Sequence, residues 1–347
     1  MINNRVCILG TGAWATALGL RLSLNGKTVF LWGIDNNEVN DINSGYNKKY
    51  FGDNKFASSL SATTNLNNAI GDSKYIIFAV PSDALKEVLE KLKAVVSPKS
   101  NVIFVNVIKG LDSSTNDILS KTIRKELKNY SGKLVTLCGP SFAVDVFDQK
   151  PTIINAAGKN FNAVRSVCEI FNSDVFKIIP CNDEIGLQVF SSLKNLLAIA
   201  VGIAQENHNS INTISAMLTM GIDEMQDIAC HMGASKKTMI SFCGIGDIFL
   251  TCTSDKSRNF SFGREIFKNG LEKTINNNKK TVEGFKVYKI VDSIIKNHNI
   301  NSPVFSSIID VLDGKLAPEK FIERCWELIW KMKLDENQNR KKMIFWK

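Results

Sequence analysis

The chain has 347 residues, more than one hydrophobic core usually supports, so two domains of roughly 100–200 residues each are expected. Hydrophobic residues make up 44% and charged residues 22%, a globular balance, and the formal net charge is +9. The longest apolar run, Leu196 to Ala204, falls short of the ~20 residues that cross a bilayer, and MINNRVCILG is too weakly apolar for a secretory leader, so no membrane insertion and a cytoplasmic location are expected.

The first half alternates short β-like runs with helical patterns. RVCILG (5–10) precedes a helix from about Ala13 to Asn25, and TVFLWG (28–33) precedes a second helix and a polar loop over 43–60. YIIFAV (75–80), VIFVNVIKG (102–110) and KLVTLCG (133–139) are further strands, rich in β-branched residues and closed by Gly or Pro. This alternation predicts an α/β, Rossmann-like, doubly wound parallel sheet over residues 1–182. Beyond residue 183 the pattern turns helical, near 184–205, 213–232, 247–253, 260–269, 282–297, 303–313 and 318–333, which predicts an all-α domain over 183–347. The lysine-rich residues after Lys331 read as a solvated tail.

Eight cysteines lack any CxxC, and three histidines have no neighbours at ligand spacing, so buried free thiols are expected and neither a disulfide framework nor a metal site is. The lysines are scattered through a chain also rich in Asn and Ile, which argues against a nucleic-acid partner. The same positive field would favour a phosphate-bearing ligand.

GTGAWATA (10–17) follows the first strand and opens a helix, the setting in which G-x-G-x-x-A carries meaning. Gly10 permits the tight turn, Gly12 lets backbone approach a pyrophosphate, and the helix N-terminus offers free N–H groups. The second strand ends at Trp32-Gly33-Ile34-Asp35. Asp35 is placed to accept from an adenosine ribose hydroxyl, or else to cap the next helix, and no basic residue stands at 34–36. NAD(H) is favoured over NADP(H).

FSSLKNLLAIA sets Lys194 inside an apolar helix, on one face with Phe190, Ser191, Leu197 and Ala198. A snorkelling or structurally paired lysine is the plainer account. Hydride transfer between a nicotinamide and a carbonyl, however, needs a proton donor and acceptor at the oxygen, and a lysine whose pKa burial lowers can supply it. CGIGDIFLTCT (243–253) places Asp247 at a helix start with Thr251 one turn later, where an N-cap role competes with a catalytic one. Ser257-Arg258-Asn259 suits a phosphate dianion. Lys109-Gly110 and Gly139-Pro140-Ser141-Phe142-Ala143 follow the carboxyl ends of two strands, where open α/β sheets bind ligands.

GTGAWATALG with VFLWG, VIKGL, CGPSFA, SSLKNLLAIAVG, MLTMGIDEM, GIGDIFLTCTSDKSRNFSFG and TVEG together resemble the NAD(P)-dependent glycerol-3-phosphate dehydrogenases of the bacterial, phospholipid-precursor type. They run in family order from residue 8 to 284. The resemblance implies that NAD(P)H reduces dihydroxyacetone phosphate to sn-glycerol 3-phosphate, with Lys194 as acid/base and Asn195, Asp247 and Thr251 placing the reacting oxygen. It implies that Arg258 and Asn259 hold the phosphate and that Lys109, Gly139, Ser141 and Ser257 line the substrate pocket. Gly10, Gly12, Ala13, Trp14, Lys109, Ala143, Arg258 and Glu283 would line the cofactor, and the assembly would be a homodimer. Ala13, Ala15, Ile34 and Met220 depart from the family's usual Ser, Gly, basic residue and Arg. The competing readings are a two-domain hydroxy-acid or 3-hydroxyacyl-CoA dehydrogenase and a non-catalytic NADH-sensing protein.

Overall fold

The computed structural model describes residues 4–97, 101–130, 133–278 and 281–344. β1 (Arg5–Leu9) enters α1 (Ala13–Leu24), and β2 (Thr28–Trp32) is followed by α2 (Asn36–Asn43), α3 (Lys48–Phe51), β3 (Ser61–Thr63) and α4 (Leu66–Ile70). Next come β4 (Tyr75–Phe78), α5 (Leu85–Lys93), β5 (Ile103–Asn106), the short pair β6 (Leu111–Asp112) and β7 (Asp117–Ile118), α6 (Leu119–Glu126) and β8 (Leu134–Cys138). α7 (Ala143–Phe147), β9 (Thr152–Ala157), α8 (Phe161–Phe171) and β10 (Phe176–Pro180) complete the α/β part. The helical part holds α9 (Glu184–His208), α10 (Ile211–His231), α11 (Asp247–Cys252), α12 (Arg258–Asn269), α13 (Leu271–Asn277), α14 (Glu283–Asn297), α15 (Pro303–Leu312) and α16 (Phe321–Ile344).

Two compact units emerge, Met1–Ser191 with Gly233–Asp247, and Ser192–Met232 with Ile248–Lys347. The single cut expected at 182/183 thus moves into α9, and residues 233–247 join the first unit. Hydrogen bonds explain that return: Asp183 accepts from Ser235 N at 2.9 Å and Thr238 Oγ1 at 2.6 Å, and Cys243 N donates to Asn155 Oδ1 at 3.1 Å.

In the first unit the eight-stranded sheet has the order β10-β9-β8-β5-β4-β1-β2-β3. Its central strands β1, β4, β5 and β8 are buried on both faces, as a helix-covered sheet requires. Val6 and Ile8 point into one core while Cys7 and Leu9 point into the other, the two-residue period of a strand. The sheet is not wholly parallel: β9 runs antiparallel to β8, with Cys138 opposite Asn155. The reason is the connection. α7 has five residues, ~7.5 Å of helix, too short to carry the chain back along the strand before β9 begins.

The stretch 43–60, expected as a polar loop, contains α3 and buries Asn47, Phe51 and Phe56. Phe51 stacks on Phe147 of α7 at 4.1 Å between ring centroids.

In the second unit the part of α9 beyond Ser191 is the central element: Leu196, Leu197, Ile199, Val201 and Ile203 are fully buried. α9 is long and apolar enough by composition to cross a membrane, contrary to the reading from the longest apolar run, but its apolar window is 100% buried in the fold. α10 carries Glu224, which caps α15 by accepting from Ser302 Oγ at 2.6 Å, Val304 N at 2.8 Å and Phe305 N at 3.0 Å. The tail expected after Lys331 is helical, since α16 continues to Ile344. Residues 345–347 of that tail lie outside the described residues.

Candidate active site

The phosphate loop is shaped by Gly10, whose φ of +131° excludes ordinary side chains and whose Cβ would lie 2.6 Å from the carbonyl oxygen of Ala79. Gly12 differs, because a Cβ there would meet nothing within 4 Å. Its glycine is therefore not explained by packing and leaves the first turn of α1 open to a ligand. That turn has no side-chain cap and no acidic residue, so its N–H groups and partial positive charge remain available to a pyrophosphate. The residues present fit a dinucleotide.

The 43–60 stretch is fastened to this loop. Asn47 Nδ2 donates to Thr11 O at 2.9 Å and to Thr16 Oγ1 at 2.8 Å, and Thr11 Oγ1 donates to Glu38, which also accepts from Lys49. None of these five side chains was singled out from the sequence, since their partners are distant along the chain. Asp35 caps α2 by accepting from Asn37 N at 2.8 Å, the second of its two expected roles. Ile34 is 82% exposed, while Ala13, Trp14 and Ala143 are half-buried against the core.

At the carboxyl ends of β5 and β8 the first unit gathers further candidates. Lys109 Nζ lies 3.3 Å from Asp247 Oδ2; the lysine side chain is 27% exposed and the aspartate fully buried. A buried carboxylate needs such a partner, because desolvation penalises the lone charge by several kcal/mol. Ser141 Oγ donates to Gly139 O at 3.0 Å and tightens the turn after β8.

In the second unit Lys194 is 3% exposed, and its Nζ donates to Thr251 Oγ1 at 2.6 Å. The lysine therefore does not snorkel. Asn195 and Asn259 are likewise buried and joined, Asn259 Nδ2 donating to Asn195 Oδ1 at 3.1 Å. Ser257 is buried as the N-cap of α12, accepting from Phe260 N, while Arg258 at the first helical position is exposed. Glu283 opens α14, and Met220 is half-buried on α10. The structure so pairs Lys109 with Asp247, Lys194 with Thr251 and Asn195 with Asn259. Of the eight cysteines, all free, five are buried, and no group of three His, Cys, Asp or Glu side chains suited to a metal occurs among the described residues.

Models of the N-terminal and C-terminal domains of NAD-dependent glycerol-3-phosphate dehydrogenase match residues 5–164 and 183–323. The chain belongs to that family. It is 67% identical over 338 residues to glycerol-3-phosphate dehydrogenase [NAD(P)+] of Malacoplasma penetrans, covering 97% of this chain and all of the relative. With the enzyme of the same description from Mycoplasma mobile it shares 34% over 329 residues, 93% of this chain and 96% of that one. The crystal structure of glycerol-3-phosphate dehydrogenase from Coxiella burnetii superposes with a TM-score of 0.86 at 27% identity, covering 94% of this chain and 99% of that one. Family membership makes this an NAD(P)-dependent oxidoreductase with a Rossmann-like domain, and matches the resemblance read from the motifs. The family's C-terminal model ends at residue 323, so most of α16 lies beyond it.

Proposed function

We propose that the protein reduces dihydroxyacetone phosphate to sn-glycerol 3-phosphate with NAD(P)H, reversibly, and thereby supplies glycerophospholipid synthesis. The observation that carries the reading is the buried Lys194–Thr251 pair in a chain of this family. The reduced nicotinamide, when bound, supplies the hydride. Lys194 donates the proton to the nascent alkoxide oxygen and, as a cation in a water-poor setting, stabilises that charge as it develops. Thr251 fixes the direction of the ammonium, and its hydroxyl can pass its own proton to the substrate oxygen as it accepts from Lys194.

Arg258 and Asn259 hold the phosphate, Arg258 by charge-assisted hydrogen bonds and Asn259 through its amide, so binding energy from the unreacting end orients the carbonyl. Lys109 pairs with Asp247, and with Gly139, Ser141, Asn195 and Ser257 these residues line the three-carbon body. Gly10, Gly12, Ala13, Trp14, Asp35, Lys109, Ala143, Arg258 and Glu283 hold the dinucleotide. The working form is a cytoplasmic homodimer, to be checked by light scattering after size exclusion and by cell fractionation.

The decisive assay is oxidation of NADH or NADPH by purified protein with dihydroxyacetone phosphate. Absence of turnover with both cofactors sinks the reading, and leaves a nucleotide-binding protein without this chemistry.

A further inference from the structure

Three glycines bring helices of the second unit into backbone contact. A Cβ on Gly202 would strike the carbonyl oxygen of Phe260, and one on Gly263 the carbonyl oxygen of Ile199. A Cβ on Gly284 would sit 2.5 Å from the carbonyl oxygen of Asn195 and 2.8 Å from its carbonyl carbon. These are main-chain atoms within helices and cannot swing aside. The first two approaches only pack α9 against α12.

At Gly284 the approach also carries a hydrogen bond. Its N–H donates to Asn259 Oδ1 at 2.8 Å, and Asn259 Nδ2 donates to Asn195 Oδ1 at 3.1 Å. The two ends of an asparagine amide look alike, but a backbone N–H can only donate. It therefore labels the Asn259 oxygen, leaves Nδ2 as the end that meets Asn195, and so labels the Asn195 oxygen as well. Asn195 is 4% and Asn259 8% exposed, so turning either amide over would set oxygen against oxygen or donor against donor without water to compensate.

We propose that Gly284 is a positioning residue that acts through Asn259 to make Asn195 present its N–H2, and not its oxygen, to an acceptor oxygen of the substrate. This rests on the assignment of Asn195 and Asn259 to the substrate and deepens it: the site reads an acceptor, carbonyl or phosphate oxygen, at Asn195. Only glycine serves at 284, because the donor must come within reach of Asn259 while its α-carbon rides on the Asn195 backbone.

The test uses steady-state kinetics with dihydroxyacetone phosphate and NADH. Gly284→Ala should raise the KM for dihydroxyacetone phosphate by about tenfold or more, the loss of one charge-neutral contact and its partner's alignment, with the KM for NADH within about twofold. Gly221→Ala adds a methyl to another α9 contact, between α10 and the Leu197 side chain, away from the relay; it should lower Tm and leave the substrate KM near wild type. In an Asn259→Ala background, Gly284→Ala should add nothing further to KM, whereas independent effects would multiply. Equal KM shifts in the two glycine variants, or multiplying effects in the double variant, overturn the proposal. A crystal structure of the wild-type protein with dihydroxyacetone phosphate decides the matter even if Gly284→Ala fails to fold: Asn195 Nδ2 should face a substrate oxygen, and Oδ1 in that place overturns it. Wild-type protein that does not turn over dihydroxyacetone phosphate at all overturns the functional reading itself, a different outcome from a wild-type enzyme whose Gly284 variant is normal.

Discussion

Lys194 and Thr251 are held together by a 2.6 Å hydrogen bond from Nζ to Oγ1, with 3% and 4% of the two residues exposed. A flexible four-carbon amine is thereby given one direction. Lys194→Ala should lower kcat by about 100-fold to 10,000-fold, the usual contribution of a positioned acid/base, while NADH affinity measured by fluorescence titration stays near wild type. Thr251→Val removes the acceptor but keeps the shape, and should lower kcat by about tenfold or more, with Thr251→Ser retaining most activity. Wild-type kcat in Lys194→Ala would remove the lysine from the chemistry.

The Lys109–Asp247 pair gives a stability prediction. Asp247 is fully buried, and Lys109 Nζ is a 3.3 Å partner that is itself only 27% exposed. Lys109→Met should cost about 1–3 kcal/mol in urea unfolding, the range for stranding a buried polar group, reduced here because the lysine end reaches solvent. The double variant with Asp247→Asn should recover part of that loss, since the uncompensated charge is then gone. A cycle with no coupling energy would mean that other contacts of Asp247 carry its burial.

Glu224 predicts a pH dependence. Burial pushes its carboxyl from 4.5 up to about 7, against the opposing hydrogen bonds from Ser302, Val304 and Phe305. The folded state then binds the proton more tightly than the unfolded chain, so this group's stabilisation is complete below pH 4.5 and is lost as pH rises through about 7. Thermal melts of wild type and Glu224→Gln at pH 5 and at pH 8 should differ in slope, with Gln losing less Tm over that interval. Parallel slopes would refute the assignment.

Cofactor choice can be shifted at Ile34. The side chain is 82% exposed just after β2, and Asp35 beside it is committed to capping α2. Ile34→Arg should lower the KM for NADPH by about tenfold through charge-assisted contact with a 2′-phosphate, and change the KM for NADH little. Parallel assays with the two cofactors measure this directly.

Much of the architecture was legible in the sequence because it rests on local rules. The β-branched runs 5–10, 28–33, 75–80, 102–110 and 133–139 each contain an observed strand, and the 3.6-residue pattern after 183 gave the long helices. β9 and β10 escaped notice because TIINAA and FKIIP mix Asn, Ala and Pro into short strands, residues whose place in a sheet is decided by neighbours and not by propensity. The antiparallel turn at β9 likewise depended on the length of α7. Lys194, Asp247, Arg258 and Asn259 could be nominated from residue type and motif, since a lysine in an apolar helix or an aspartate after two glycines is conspicuous along one dimension.

What the sequence determined by itself was the class of fold, the family and the identities of the candidate chemical groups, all properties of nearby residues and recognisable strings. What only the tertiary structure decided was which groups pair: Thr251 with Lys194 across 57 positions, Asn259 with Asn195 across 64, and Gly284 with Asn259 across 25. Hydrogen bonds act over about 3 Å, and nothing in a linear pattern fixes that distance between residues so far apart. The last glycine of TVEG could be quoted as part of a motif, but its purpose depends on the carbonyl of Asn195 lying 2.5 Å from where its side chain would begin.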